Sequence, residues 1–225
     1  MKQSFVASIE LTILLQNEKL ASMLEVIEIS DNEIALYYVN GMFKEVLTTG
    51  RYAFWKGYLD NTFTKVDLSK VEITEAVPVA LLGNTKVRAY TRKYQVLNFE
   101  KGLLFVNGAF VKELAAGNYY FWNNAIPIEV KNVDIRQQQM EIAGQELLTK
   151  DKATLRINFF VRYQVIDAVK ALVNNKEYDK QLYVLMQLAL RALVGSYTLD
   201  ELLNKKDTIS KEILENMLDK INALG

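Results

Sequence analysis

The chain has 225 residues, half of them hydrophobic, and its 27 Lys and Arg balance its 27 Asp and Glu. This length and composition allow one large domain or two small ones, and the zero net charge gives no general attraction to nucleic acid or to an anionic membrane. Because the sequence has neither Cys nor His, it excludes disulfides, a thiolate nucleophile, a Cys/His zinc site and an imidazole base.

The N-terminal segment, residues 1–13, is followed by the first of two repeated regions. Its apolar stretch, 4–16, is interrupted by Glu10 and lacks the basic region and cleavage site of a signal peptide. Nowhere does the chain have the run of about 18 apolar residues that a membrane span needs. The segment either lies in a membrane interface or forms a strand and short helix packed on the following module, and the pattern favours packing.

The chain contains an internal duplication. The stretches GMFKEVLTTGRYAFW (41–55) and GAFVKELAAGNYYFW (108–122) align without a gap, and one offset of 67 residues relates 14–68 to 81–135. A fixed offset over this length indicates two modules built on the same plan.

Each copy of the repeat is predicted to be a short antiparallel β-module. The β-rich runs 33–39 and 102–106 are each followed by an Asn-Gly dipeptide, the strongest short signal for a hairpin. A return strand and a third strand with the pattern Tyr-x-Phe-Trp follow. Its two Trp, Trp55 and Trp122, are predicted to be buried core residues rather than ligand-binding ones, because aromatic side chains dominate small β cores.

A connector, 75–95, joins the copies. Pro78 and Gly83 interrupt it, which leaves room for a helical turn. Four cations alternate with two tyrosines in this stretch, a mixture that can stack on and neutralise a nucleic-acid strand. The rest of the chain has no extended basic stripe, so we expect a solvated connector and no nucleic-acid partner. The six residues are Lys86, Arg88, Arg92, Lys93, Tyr90 and Tyr94.

A long strand opens the second half of the chain. Apolar and polar residues alternate along 154–165, which predicts a half-buried strand. The turn at Lys150, Asp151 and Lys152 is expected to join it to 146–149 as a hairpin.

Helices are predicted after this strand. A short one covers 167–173, and a longer one with an apolar stripe covers 178–194, where Gly195 is expected to end it. Thr198 and Glu201 form a capping box for the next helix. A last helix is expected to begin near Asp207, with a buried face made of Ile209, Ile213, Met217, Leu218, Ile221 and Leu224.

Residues 96–225 resemble the stomatin/prohibitin/flotillin (SPFH) superfamily, and most of all its stomatin or slipin branch. The resemblance rests on 147–172 and 188–213, and on motifs of that branch. Two departures are Ala116 before Gly117, where the branch has proline, and Ala168, which replaces the proline after aspartate. The motifs are Val133-Asp134-Ile135-Arg136, Leu148-Thr149-Lys150-Asp151, Asp167 with Lys170-Ala171, Leu190-Arg191-Ala192-Leu193-Val194-Gly195 and Leu199-Asp200-Glu201-Leu202-Leu203.

The resemblance and the repeat together predict an α+β fold in which an antiparallel β-module precedes an SPFH-like domain of β-sheet packed with C-terminal helices. We expect an N-terminal segment at 1–13, a β-repeat module at 14–80 and the SPFH-like domain at 81–225, whose 81–135 part repeats the first copy. Family members usually continue into a long charged helix, so the resemblance implies a chain cut before a coiled coil.

The resemblance implies a non-enzymatic scaffold that homo-oligomerises into a ring, cage or array and organises partners or a membrane region. An alternative is a peripheral membrane-binding protein that regulates a membrane protease. The implied partners are other copies of the chain and a membrane or membrane-bound protease, and the implied location is cytoplasmic or peripheral to a membrane.

A small-ligand-binding module is the remaining alternative. Acid–base chemistry would rely on carboxylates, Lys or Tyr alone, and the sequence has no glycine-rich phosphate cradle. We therefore expect no enzyme, no catalytic residue, no cofactor and no metal. The candidate interface residues are Arg156, Arg162, Arg191 and Glu201. The three arginines either bridge to a neighbouring subunit or pair internally with Asp134, Asp151 or Glu201.

Overall fold

The computed structural model describes residues 10–205 and 208–225, which divide into two compact units. The first unit holds the described residues up to Tyr94 together with Asn118–Pro127. Two of its strands reach into residues assigned to the second unit: β6 ends two residues after Tyr94, and β9 begins one residue before Asn118. Its elements are α1 (Leu11–Leu14), α2 (Glu18–Met23), β1 (Leu24–Ile29), β2 (Glu33–Val39), β3 (Met42–Leu47), β4 (Gly50–Trp55), β5 (Asn61–Asp67), α3 (Val79–Leu82), α4 (Thr85–Arg88), β6 (Thr91–Val96) and β9 (Gly117–Trp122).

The second unit holds Gln95–Gly117 and Ile128–Gly225. Strands fill its first part and helices its last, so the α+β class predicted from the sequence is confirmed. Its elements are β7 (Glu100–Val106), β8 (Ala109–Leu114), β10 (Ile128–Asp134), β11 (Gln138–Leu148), β12 (Thr154–Tyr163), a π-helical turn (Lys170–Asn174), α5 (Tyr178–Ser196), α6 (Leu199–Lys205) and α7 (Ile209–Asn222).

The two copies of the repeat form the same strands. Each strand from β6 to β10 begins and ends 67 residues after its counterpart from β1 to β5. The sheet order β3-β2-β5 recurs as β8-β7-β10, and the pair β1-β4 recurs as β6-β9. Even the bulge between Tyr37 and Tyr38 has its equivalent, between Leu104 and Phe105.

Local turn chemistry fixes both modules in the same way. Asn40 and Asn107 take φ values of 50° and 52°, in the left-handed region that Asn tolerates best after Gly. The glycine that follows each of them is also left-handed, which gives the tight turn between β2 and β3 and between β7 and β8. Both predicted hairpins are therefore confirmed.

The sheet β3-β2-β5 of the first unit is covered on both faces. On one face Ala35 and Tyr37 pack with Phe54 from the β1-β4 pair. On the other face Leu36 packs with residues of α3 and α4 and with Trp122 of β9. Since alternate residues of β2 face opposite sides, this strand is buried throughout its centre.

The prediction for the two tryptophans is right for one and wrong for the other. Trp122 is fully buried at 0% exposure, and its indole nitrogen donates to Oε2 of Glu75 at 3.1 Å. Trp55, at the equivalent position, is 43% exposed. The burial of Trp122 comes from the sheet of the first copy, on which it packs with Leu36 and Val66.

In the second unit, α5 packs on the hairpin of β11 and β12. The predicted hairpin is confirmed, with Leu148 paired to Thr154 across the turn. Exposure alternates along β12, as the sequence predicted. The buried side of α5 joins Ile142 and Leu147 of β11 in one core cluster, which also takes in Ile213 of α7.

Three predicted features of the helices are wrong in detail. α5 runs through Gly195 to Ser196, because the packing of its last turn outweighs the weak helix preference of one glycine. The predicted short helix is instead a π-helical turn at Lys170–Asn174, where the N–H of Asn175 donates to the carbonyl of Lys170 at 3.1 Å. Leu218 of α7 is half exposed rather than buried. The predicted start of α7 near Asp207 lies outside the described residues.

Candidate assembly surfaces

Two of the candidate residues lie on the outer face of the β11–β12 hairpin. Arg156 and Arg162 are exposed, with Phe160 between them on the same face. Phe160 is 56% exposed and lies opposite Glu141 of β11. This outer face therefore combines an exposed aromatic ring with charges of both signs.

Arg191 lies on the outer face of α5. Val184, Leu188 and Arg191 are spaced four and three residues apart, which places them on one side of a helix. Val184 is 49% exposed and Leu188 is 54% exposed. Since the opposite side of α5 faces the core, this stripe is an apolar surface that ends in a cation.

Glu201 has a local structural role. Its carboxylate accepts from the N–H of Thr198 at 2.8 Å, and the Thr198 hydroxyl accepts from the N–H of Glu201 at 3.3 Å. The predicted capping box is thus confirmed. The hydrogen bond that the Thr198 N–H donates also holds the pKa of the Glu201 carboxyl below its usual range.

The other two carboxylates considered as internal partners are occupied by nearby groups. The Arg136 guanidinium holds the pKa of Asp134 below its ordinary value through a side-chain bond, with Nε 3.0 Å from Oδ1. Asp151 accepts from the Thr149 hydroxyl and from the N–H of Leu199, and the hydroxyl bond lowers its pKa. Asp134 is thus paired within its own turn, and Asp151 joins its turn to the start of α6.

The structure brings the candidate arginines onto two surfaces rather than into one site. Arg162 donates to Oε1 of Gln139 at 3.3 Å, and Arg156 lies opposite Glu146. Within residues 10–205 and 208–225, Arg191 makes no side-chain hydrogen bond or ion pair. Phe160, Val184 and Leu188 were not singled out from the sequence, although their spacing relative to the buried positions could have identified them.

In the described part of the chain, no group of three or more acidic residues is placed to hold a metal ion. No single described helix is long and apolar enough to cross a membrane, and α5 with α6 meets that test only as a pair bent by 118°.

The profile of the SPFH domain / Band 7 family matches residues 94–225, more than half of the chain. The chain belongs to this family. The SPFH resemblance predicted from the motifs is therefore confirmed, while the extra β-module ahead of the domain and the proposed domain boundaries stay predictions.

Several curated proteins are similar to this SPFH chain. An uncharacterized protein of Methanocaldococcus jannaschii, MJ0827, is 35% identical over 131 residues, which cover 58% of this chain and 64% of that protein. The stomatin homolog PH1511 of Pyrococcus horikoshii is 32% identical over 127 residues, covering 56% and 46%. Stomatin-like protein 3 of Mus musculus is 28% identical over 130 residues, covering 57% and 45%. The SPFH chain thus spans about half to two thirds of these relatives.

Proposed function

We propose that copies of this chain assemble side by side into a ring, cage or array that acts as a non-enzymatic scaffold. The observation that supports this most directly is the exposed apolar stripe of Val184 and Leu188 on α5, because covering these side chains with another copy removes apolar surface from water. Membership of the SPFH family also supports a scaffold role in which the chain catalyses no reaction.

The two surfaces of the second unit are complementary to each other. The α5 stripe offers apolar side chains beside the cation of Arg191, and the hairpin offers Phe160 beside the carboxylates of Glu141 and Glu146. The surfaces lie on opposite sides of one helix-on-hairpin layer, since α5 packs on the inner face of the hairpin. Contact between unlike surfaces on opposite sides repeats from copy to copy, and it closes into a ring or continues as an array.

We also propose that the scaffold lies peripheral to a membrane and organises a membrane region. Family membership supports the association with a membrane. A membrane-bound protease as its client remains a prediction from the resemblance.

Cysteine cross-linking tests the arrangement, because the natural chain has no cysteine that would interfere. We expect Phe160→Cys combined with Leu188→Cys to give a ladder of cross-linked species under mild oxidation, since each copy then carries one thiol on each contacting surface. The measurement is a non-reducing gel of the purified double variant.

The two single variants are the matched controls. Each should remain a single-chain band, because a thiol on one surface has no thiol opposite it. Dimers from either single variant would show that like surfaces meet. A double variant that forms no ladder would rule out the contact between the hairpin and α5.

A further inference from the structure

The first unit contains a cavity that the scaffold role does not use. Its volume is about 470 Å³, within the range of small-ligand pockets. Among the residues that the structure describes, no carboxylate lines it, whereas two cations do. The lining residues are Leu82, Gly83, Arg88, Thr91, Lys93 and Tyr120.

Neither cation of the cavity forms an ion pair or a side-chain hydrogen bond with a described residue, whereas the neighbouring Arg92 is held by polar groups. Arg92 uses its guanidinium on Asn123 and on the carbonyl of Ile126, at 2.9 and 3.0 Å. Arg88, by contrast, makes no side-chain hydrogen bond or ion pair with any residue the structure describes. The ammonium of Lys93 lies 6.0 Å from the centre of the Tyr120 ring, at the outer limit of a cation–π contact.

The duplication supplies an internal comparison for this cavity. The positions of Arg88, Thr91, Lys93 and Tyr120 correspond, 67 residues earlier, to four small or apolar residues. These are Ala21, Leu24, Val26 and Ala53. The same strands form in the first copy without any of the polar groups. The module therefore does not need two like charges here for folding.

We propose that this cavity binds a phosphate-monoester group, carried either by a soluble molecule or by a lipid headgroup. Such a group bears a charge of about −1.5 to −2 at neutral pH, which two cations balance. Arg88 offers the planar fork that matches two phosphate oxygens, and Lys93 adds a point charge. The Thr91 hydroxyl, which donates to the Leu82 carbonyl at 3.4 Å, belongs to the same lining, and the ring of Tyr120 forms a wall of the cavity. The site goes beyond the proposed scaffold and does not depend on assembly.

The test compares the natural chain with Arg88→Ala/Lys93→Val, which installs the residues of the first copy. Titration calorimetry at low ionic strength uses inorganic phosphate as the probe. We expect the natural chain to bind phosphate and the double variant to bind at least about tenfold more weakly, because two charge-assisted contacts are lost. A thermal melt followed by circular dichroism shows that the variant is folded.

The matched control is Lys44→Ala/Lys56→Ala, which removes two exposed cations elsewhere in the same unit. It should bind phosphate as the natural chain does. The proposal is overturned if the natural chain shows no phosphate binding, if Arg88→Ala/Lys93→Val binds equally well, or if the control loses as much affinity.

Vesicle flotation then separates the two sources of the phosphate group. Vesicles of phosphatidylcholine alone are compared with vesicles that also contain phosphatidic acid, whose headgroup is a phosphate monoester. Flotation only with phosphatidic acid, lost in Arg88→Ala/Lys93→Val, assigns the site to a lipid headgroup. Phosphate binding without flotation assigns it to a soluble phosphate ester.

Discussion

Replacing Trp122 with Ala should lower the free energy of unfolding of the first unit by about 3–5 kcal/mol, the usual effect of truncating a fully buried tryptophan. The side chain is at 0% exposure, packs with Leu36 and Val66 of the central sheet, and donates to Glu75. Its loss leaves a cavity in the core and a carboxylate without its indole donor, and both effects destabilise the fold.

The equivalent substitution in the first copy is the natural control. Trp55→Ala should lower the free energy of unfolding by well under half as much, because Trp55 is 43% exposed. Urea unfolding followed by circular dichroism measures both variants without relying on tryptophan fluorescence. Equal losses for the two substitutions would contradict the packing described for Trp122.

The second large effect concerns assembly. Val184→Glu combined with Leu188→Glu should convert the assembled protein to single chains, because both side chains lie on the exposed stripe of α5 and neither belongs to the buried core. Two carboxylates would replace the apolar contact with Phe160 and would have to lose their hydration, which opposes association.

Val111→Glu provides the matched control for a charge placed on an exposed apolar position. Val111 lies on β8 of the same unit and is half exposed. We expect this variant to assemble as the natural chain does, with both variants unchanged in thermal unfolding. Persistence of the assembly in Val184→Glu/Leu188→Glu would mean that another surface holds the copies together.

Local signals predicted most of the strand architecture. Asn40 and Asn107 tolerate left-handed backbone, so the Asn-Gly dipeptides located both hairpins without knowledge of the tertiary structure. The alternation along β12 and the capping box at Thr198 are equally local, and the structure has both.

The features that were missed depend on contacts distant in sequence. Trp55 and Trp122 share the local pattern Tyr-x-Phe-Trp, and the sheet packed on Trp122 is a contact that this pattern does not predict. Gly195 stays helical because tertiary packing outweighs its intrinsic preference. The π-helical turn ends at Asn175, whose side chain also binds the carbonyl of Ala223 far along the chain.

The sequence identifies only some of the residues that line the cavity in the first unit. Arg88 and Lys93 lie in the connector, where the sequence predicts solvated charges. Tyr120 joins them from β9 only after folding, which no local pattern reveals. On α5, the apolar stripe in the sequence predicts the buried face and does not predict the exposed pair Val184 and Leu188.

Light scattering after size-exclusion chromatography, over a series of protein concentrations, tests the proposed assembly most directly. We expect a molar mass above the 25.8 kDa of one chain that increases with concentration until a closed ring or larger array forms. A mass that stays at that of a single chain at every concentration would contradict it.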